Sequence, residues 1–294
     1  MNITLSGSLG HIGLPLAQRL RQRGHSLTLI SQEPARRGAI EALGARAAIG
    51  SLDDAEFLTA ACRQADALFA MVPPAFAAAD PRAYYQRIGR AYQLAIGQAG
   101  VPRVVHLSSY GADLAQGTGL ILGSHDVEQL LNAVPRLSLT HLRPAYFYNN
   151  LFAFIEGIRT QGEIRANYGG DQRLALVAPA DIAAVAVDAL ETPTGFDRVR
   201  YVSSDEQTGD EIARVLGEAV GLAELRWHVI SDAAMRSQLA HQGVPTPTAD
   251  ALIELFACLH RGALAADYTR HRPAQPGTVK LADFAREFAA VYAR

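Results

Sequence analysis

Two hydrophobic rhythms alternate along the first half of the chain. Short apolar, β-rich runs predict strands near 2–6, 26–31, 45–49, 66–71, 103–108 and 138–142, and apolar residues recur at helical spacing near 11–23, 34–43, 54–62, 82–99 and 124–133. Strands separated by whole helices cannot close as tight hairpins. The pattern therefore predicts an α/β fold, a doubly wound parallel sheet covered by helices on both faces. Gly24, Gly44 and Gly100 each follow a predicted helix, where a residue free to take positive φ ends it at little cost.

Beyond residue 148 the alternation becomes irregular. The segment from Asn149 to Gly162 has helical character, and Tyr168-Gly169-Gly170-Asp171 reads as a turn or loop. Helix 181–191 and strand 199–203 read as a return to the sheet. Helices at 208–220, 249–261 and 281–292, broken by Pro245, Pro247, Pro273 and Pro276, predict a smaller α/β lobe. The expected division is a main domain of residues 1–150 and 176–206 with a lobe of 151–175 and 207–294.

Composition narrows the classes. At 294 residues, 49% hydrophobic and 19% charged with a formal net charge of −2, the chain has a globular make-up and no general attraction for nucleic acid. Met1-Asn2-Ile3-Thr4-Leu5 reads as a strand rather than a leader, and no apolar run approaches the roughly 20 residues of a bilayer-spanning helix. A cytoplasmic protein without membrane contact is expected. Cys62 and Cys258 stand far apart without metal-ligand neighbours, so reduced buried thiols are expected and neither a disulfide nor a metal site. Lys280 is the only lysine.

The first candidate chemistry is the run Gly7-Ser8-Leu9-Gly10-His11-Ile12-Gly13, between the first strand and a helix carrying Leu14, Ala17 and Leu20. A turn without side chains lets backbone N–H groups approach a pyrophosphate, and the helix N-terminus favours its charge. A merely structural glycine turn is the competing reading, and the strand–turn–helix setting favours a Rossmann dinucleotide site. The second strand ends in Ser31-Gln32 instead of an acid, with Arg36 and Arg37 following, which favours the 2′-phosphate of NADP(H) over NAD(H). Glu33 keeps NAD(H) open as the alternative, and both arginines could equally serve a solvated helix face. Met71-Val72-Pro73 ends the fourth strand at the ligand edge.

Several further segments join that turn in a consistent order: Ala45-Arg46-Ala47-Ala48-Ile49-Gly50-Ser51-Leu52-Asp53-Asp54, Ala65-Asp66-Ala67-Leu68-Phe69 with Pro73-Pro74, and Val104-Val105-His106-Leu107-Ser108-Ser109-Tyr110-Gly111-Ala112. His125-Asp126-Val127-Glu128, Leu142-Arg143-Pro144-Ala145-Tyr146-Phe147 and Pro179-Ala180-Asp181-Ile182-Ala183 complete the series. In these segments the chain resembles the NmrA-like family of atypical short-chain dehydrogenase/reductase relatives, which includes regulators and NADPH-dependent quinone reductases. The resemblance implies a Rossmann domain that binds NAD(P) and a variable substrate lobe.

Conventional short-chain reductases use a Tyr-x-x-x-Lys pair. Here Pro276 stands four residues before the only lysine, and by the family pattern the pair would fall near Leu120 and Ser124. Ser124 reads instead as the N-cap of a helix starting at His125. Without that proton donor an ordinary ketone is a poor substrate, whereas a quinone or similarly activated small molecule can take a hydride on cofactor positioning alone. The expected function is an NADP(H)-dependent oxidoreductase acting on such an acceptor. The alternatives are a non-enzymatic NADP(H) sensor, which would bind a protein partner, and a biosynthetic iminium or enone reductase.

Candidate residues follow from position. Ser108, Ser109 and Tyr110 leave the fifth strand at the ligand edge and could meet nicotinamide or substrate, although turn chemistry through Gly111 would also explain Ser108. His125, beside the vacated lysine position, could donate a proton, as could Tyr110; an ordinary first-turn histidine is the alternative. Tyr146, Phe147 and Asn149 could wall a planar substrate or pack between lobes.

Overall fold

In the computed structural model, which describes residues 1–74, 76–192 and 197–294, the first half of the chain alternates strand and helix as expected. The order is β1 (Asn2–Leu5), α1 (Gly13–Gln22), β2 (Ser26–Ser31), α2 (Arg37–Ala42), β3 (Arg46–Ile49), α3 (Ala55–Cys62), β4 (Ala67–Met71), α4 (Pro81–Ala99), β5 (Arg103–Leu107), α5 (Ile121–Asn132) and β6 (Ser138–Pro144). There follow β7 (Tyr146–Phe147), α6 (Ile155–Gln161), β8 (Glu163–Ala166), β9 (Arg173–Val177), α7 (Pro179–Glu191) and β10 (Val199–Val202). The remainder comprises β11 (Asp205–Thr208), α8 (Gly209–Val220), β12 (Arg226–Val229), α9 (Asp232–His241), α10 (Thr246–His260), α11 (Ala265–Arg270) and α12 (Leu281–Tyr292).

Seven parallel strands form the main sheet in the order β10-β6-β5-β4-β1-β2-β3. Order reverses between β1 and β4, and the crevice outside the carboxyl ends of the strands at such a switch is where ligands of this fold bind. The reason for the two-sided cover is legible in β4. Ala67 and Phe69 face one core with Leu16 and Leu20 of α1 and Ile182 of α7, while Leu68 and Ala70 face a second core with Leu58, Ile88 and Val127 of α3, α4 and α5. Burying each such leucine contributes about 1.5–3 kcal/mol.

Gly24, Gly44 and Gly100 do take positive φ, at 83°, 72° and 67°. Helix boundaries differ at several places, and α10 starts at Thr246 with Pro247 inside its first turn, where proline's missing N–H costs nothing, instead of ending a segment there. Residues 11 and 12 belong to the glycine turn, so α1 starts at Gly13; Pro34–Arg36 forms a 3₁₀ turn ahead of a short α2; and Tyr148–Phe154 is also 3₁₀, continuing into α6. A further difference corrects an expectation about Ser124. The α5 helix starts at Ile121 with Leu120 in the cap position and no side-chain cap bond, so Ser124 lies inside the helix and is buried. Packing sets that start: a Cβ on Gly123 would sit 2.6 Å from the Tyr85 ring, and glycine alone lets the first turn approach α4 so closely.

Two small sheets carry the rest, β11-β9-β7 and β12-β8. Tyr148 stacks on Phe284 at 5.1 Å and Phe152 on Phe288 at 5.9 Å, tying α12 to the chain that leaves β6. Helix α10 lies across the carboxyl side of the main sheet. Its Thr248 hydroxyl donates to the Phe76 carbonyl beyond β4 at 2.8 Å, and a Cβ on Gly119, ahead of α5, would fall 1.8 Å from the Ala251 carbonyl oxygen. Cys62 and Cys258 are free and buried, as expected, and burial pushes the Cys62 thiol up to about 12. Among the described residues no helix is long and apolar enough to cross a membrane.

Candidate functional site

The turn after β1 is built to expose backbone. Gly7 has φ +89°, and a Cβ there would lie 2.3 Å from the Met71 sulfur; a Cβ on Gly13 would lie 2.1 Å from the Ser8 carbonyl oxygen. Neither position tolerates a side chain without movement of its neighbours. The turn closes on itself through Gly10 N–H to the Gly7 carbonyl at 3.2 Å and Leu14 N–H to the Gly10 carbonyl at 3.0 Å. Among the described residues, the N–H groups of Leu9, His11 and Ile12 have no acceptor, and the buried Ser8 hydroxyl has no partner. Unsatisfied donors at the start of α1 are what an anionic pyrophosphate would complete, so these residues fit a dinucleotide.

The neighbouring edge is fixed by side chains. Met71 N–H donates to the Ser6 hydroxyl at 2.8 Å and the Tyr92 hydroxyl donates to the Met71 carbonyl at 2.9 Å, so the end of β4 is held before Val72 and Pro73 leave the sheet. At the end of β2, the buried Ser31 hydroxyl accepts from Glu33 N–H at 3.1 Å. Arg36 forks onto the Glu33 carboxylate at 2.8 and 3.0 Å, and Arg37 lies 3.7 Å from Glu41. Both arginines thus already face acids of their own segment, Arg36 on the exposed Glu33.

Beyond β5, the structure shows a polar network whose roles the sequence reading did not assign. Ser108 donates its hydroxyl proton to Glu128 at 2.5 Å, and Arg143 forks onto the same carboxylate at 2.9 and 2.7 Å. Arg143 also donates to the Tyr201 hydroxyl at 3.1 Å and to Asp267 of α11 at 3.3 Å. Burial pulls the guanidinium pKa down, but the bonds to Glu128 and its charge outweigh burial and hold it above the ordinary value. The signal for this pair was present, since an arginine stands inside the apolar run of β6 and a glutamate between Val127 and Leu131.

The other candidates separate. Ser109 donates to the Tyr110 carbonyl at 3.2 Å. Tyr110 is buried edge-to-face against Tyr268 at 5.6 Å and near Tyr201 at 6.5 Å, and burial raises its phenol above the ordinary range. His125 donates through Nδ1 to the Ala112 carbonyl at 2.8 Å, which leaves Nε2 for another partner. Leu120 faces an open cavity of about 350 Å³ between the starts of α4 and α5 and helix α10, shared with Arg82, Leu122, Pro247, Ala251 and Glu254. That volume admits a small aromatic molecule.

Tyr146, Phe147 and Asn149 follow β6 in order, each partly buried. The Tyr146 hydroxyl meets the Tyr168 hydroxyl at 2.8 Å. Tyr168, which reads as part of a turn in the sequence, is buried against Phe256 of α10 at 4.8 Å and Trp227 at 5.6 Å, and Trp227 Nε1–H donates to the Tyr168 carbonyl at 2.6 Å. Sequence spacing gives no sign of this meeting. Lys280 is remote from α5 in role: its ammonium donates to the carbonyls of Ser204 and Gly277 at 2.5 and 2.8 Å.

With this geometry in place, similarity to known proteins can be stated. The family described as NAD(P)H-binding matches residues 7–193, more than half of the chain. A (4-alkanoyl-5-oxo-2,5-dihydrofuran-3-yl)methyl phosphate reductase of Streptomyces griseus is 29% identical over 299 residues, covering 98% of this chain and 99% of the relative. An NAD(P)H azoreductase of Xenophilus azovorans is 27% identical over 259 residues, covering 87% and 86%. The crystal structure of an NADPH-dependent quinone oxidoreductase from Escherichia coli, complexed with NADPH, superposes with a TM-score of 0.80 at 21% identity, covering 97% of this chain and 99% of that one. The last is a likeness of fold.

Proposed function

This chain belongs to the NAD(P)H-binding family, and from that membership we propose that it is an NADPH-preferring reductase that passes a hydride to an electron-poor small molecule, a quinone or a conjugated carbonyl. The feature that supports the reading lies at the start of α5: by the family pattern a Tyr-x-x-x-Lys pair would fall near Leu120 and Ser124, and the only lysine stands at the head of α12. A reductase so equipped needs an acceptor that stabilises its own negative charge. Both relatives carry reductase names, and the substrate named for the Streptomyces relative is an electron-poor unsaturated ring.

Bound NADPH would supply the hydride. The chain supplies position: Gly7, Ser8, Gly10, His11, Ile12 and Gly13 for the pyrophosphate, Ser31, Arg36 and Arg37 for the ribose 2′-phosphate, and Met71, Val72, Pro73, Ser108 and Ser109 for the crevice towards nicotinamide. Tyr110, His125, Tyr146, Phe147 and Asn149 are the proposed acceptor-side residues. The division into a cofactor body (1–150, 176–206) and an acceptor lobe (151–175, 207–294) is part of the same proposal.

The test is oxidation of NADPH against NADH with menadione, an acyl butenolide and an azo dye, beside a direct measurement of cofactor affinity. Turnover favouring NADPH supports the reading. Tight cofactor binding with no turnover on any acceptor would replace it with a nucleotide-sensing role and a protein partner.

A further inference from the structure

Tyrosine hydroxyls each carry one proton to donate, and Tyr146 and Tyr168 share a single hydrogen bond. Among the described residues neither hydroxyl has another partner. One phenolic proton of the pair therefore has no protein acceptor among the described residues and is free to meet a ligand.

Its place in the fold says which ligand. Tyr146 stands two residues beyond the carboxyl end of β6, where its backbone pairs with Leu176 of β9, so it sits at the seam between the main sheet and the smaller one. Tyr168 comes from the other side of the seam, after β8, and is only 2% exposed, whereas Tyr146 is less deeply buried. Tyr168 cannot swing: Phe256 and Trp227 hold its ring, and a Cβ on the next residue, Gly169, would lie 2.5 Å from the indole. Donors fixed in advance in a dry site are the means by which proteins stabilise charge that develops during a reaction.

We infer that the pair is an oxyanion donor: Tyr168 gives its proton to the Tyr146 oxygen, and Tyr146 directs its own O–H at the acceptor oxygen on which negative charge builds. The inference rests on the proposed reductase reading. When a hydride forms the new C–H bond of a conjugated carbonyl, the displaced π pair moves onto that oxygen; the hydrogen bond from Tyr146 stabilises the anion, and water later supplies the proton. Tyr168 behind it polarises the Tyr146 O–H. Burial pushes the Tyr146 phenol up to about 12 and raises Tyr168 well above its ordinary value, so both remain protonated donors near neutrality.

The experiment compares wild type with Tyr146→Phe and Tyr168→Phe, using 4-nitrophenolate as the anion probe on the NADP⁺ complex and its visible spectrum as readout. The expected result is about tenfold weaker probe binding in Tyr146→Phe, the scale of one charge-assisted hydrogen bond. Tyr168→Phe should weaken it by about threefold, with NADP⁺ affinity preserved in both as the control for folding. Equal probe affinity and spectrum in wild type and Tyr146→Phe would overturn the inference.

A kinetic arm uses two acceptor classes. A cationic triarylmethane dye becomes neutral on accepting hydride and never forms an oxyanion, so the ratio of kcat with a quinone to kcat with the dye should fall about 100-fold in Tyr146→Phe, with KM little changed. Equal losses on both classes would mark a structural role and also overturn it. If wild type reduces nothing while the probe still depends on Tyr146, the anion site stands and the reductase reading fails.

Discussion

Arg143 grips Glu128 with both arms of its guanidinium, Nε 2.9 Å from one carboxylate oxygen and Nη2 2.7 Å from the other. With side-chain exposures of 8% and 3%, the two charges are nearly out of water, and each depends on the other. Arg143→Met alone should cost about 3–5 kcal/mol in urea unfolding, because it leaves the buried Glu128 carboxylate with only the Ser108 hydroxyl, and Glu128→Leu should cost less, because Asp267 still pairs with Arg143. The double variant should cost clearly less than the sum. Additive losses would show that the pair is not coupled.

A second pair tests acid stability. His106 and His141 are opposed on β5 and β6 with Nδ1 atoms 3.0 Å apart, and His141 Nε2 lies 3.2 Å from the Asn132 side-chain amide oxygen Oδ1. Since that oxygen only accepts, His141 carries its proton on Nε2 and His106 donates from Nδ1. Burial first, and for His106 the neighbouring imidazole second, pushes both from 6.5 down to about 3. Between these values the unfolded chain takes protons that the folded chain refuses, so stability falls as pH falls from about 6.5 towards 3. Each histidine contributes a slope of about 1.4 kcal/mol per pH unit. His141→Gln should reduce the slope by about that amount in unfolding series at pH 7, 5.5 and 4.5; an unchanged slope would place the acid sensitivity elsewhere.

The glycines of the turn should fail differently. A methyl group on Gly13 meets the Ser8 carbonyl at 2.1 Å, whereas one on Gly10 meets only the Gly7 carbonyl at 3.2 Å. Gly13→Ala should lower both Tm and NADPH affinity. Gly10→Asp should fold yet bind NADPH about 30-fold more weakly, since its carboxylate faces phosphate. Undiminished affinity in Gly10→Asp, read by nucleotide fluorescence, would refute the assigned turn.

Selectivity should depend on Arg36. Removing it by Arg36→Ala should shrink the NADPH to NADH affinity ratio about tenfold, the loss of one phosphate contact. Glu33→Gln frees the guanidinium from its exposed partner and should strengthen NADPH about threefold. A ratio that does not move in Arg36→Ala assigns the 2′-phosphate to other residues.

What the sequence made legible follows from where the apolar signal is strong. Strands β1 to β6 fall within two residues of their expected ends, because runs such as Ala67 to Met71 are buried on both faces. The small sheets escaped. Strand β7 has two residues, and β11 reads Asp-Glu-Gln-Thr, polar throughout and placed by its pairing with β9 and by side-chain bonds to residues distant in sequence such as Tyr268 and Arg272. Helix α9 was signalled and overlooked, since Ser231 caps it at the Ala234 N–H. At the site the glycine turn was readable because its chemistry is local. The Tyr146 and Tyr168 contact joins residues 22 apart across two sheets, and no spacing rule announces it.

The solitary Lys280, seated on the carbonyls of Ser204 and Gly277 at the head of α12, makes the chain a natural single-cut substrate. A lysine-specific endoprotease finds one peptide bond to hydrolyse, and cutting there separates residues 281–294 from the rest. While Tyr148 and Phe152 hold Phe284 and Phe288 the bond lies at a docked helix, so one band on a gel reports how often that helix lifts away and whether an occupied crevice slows it.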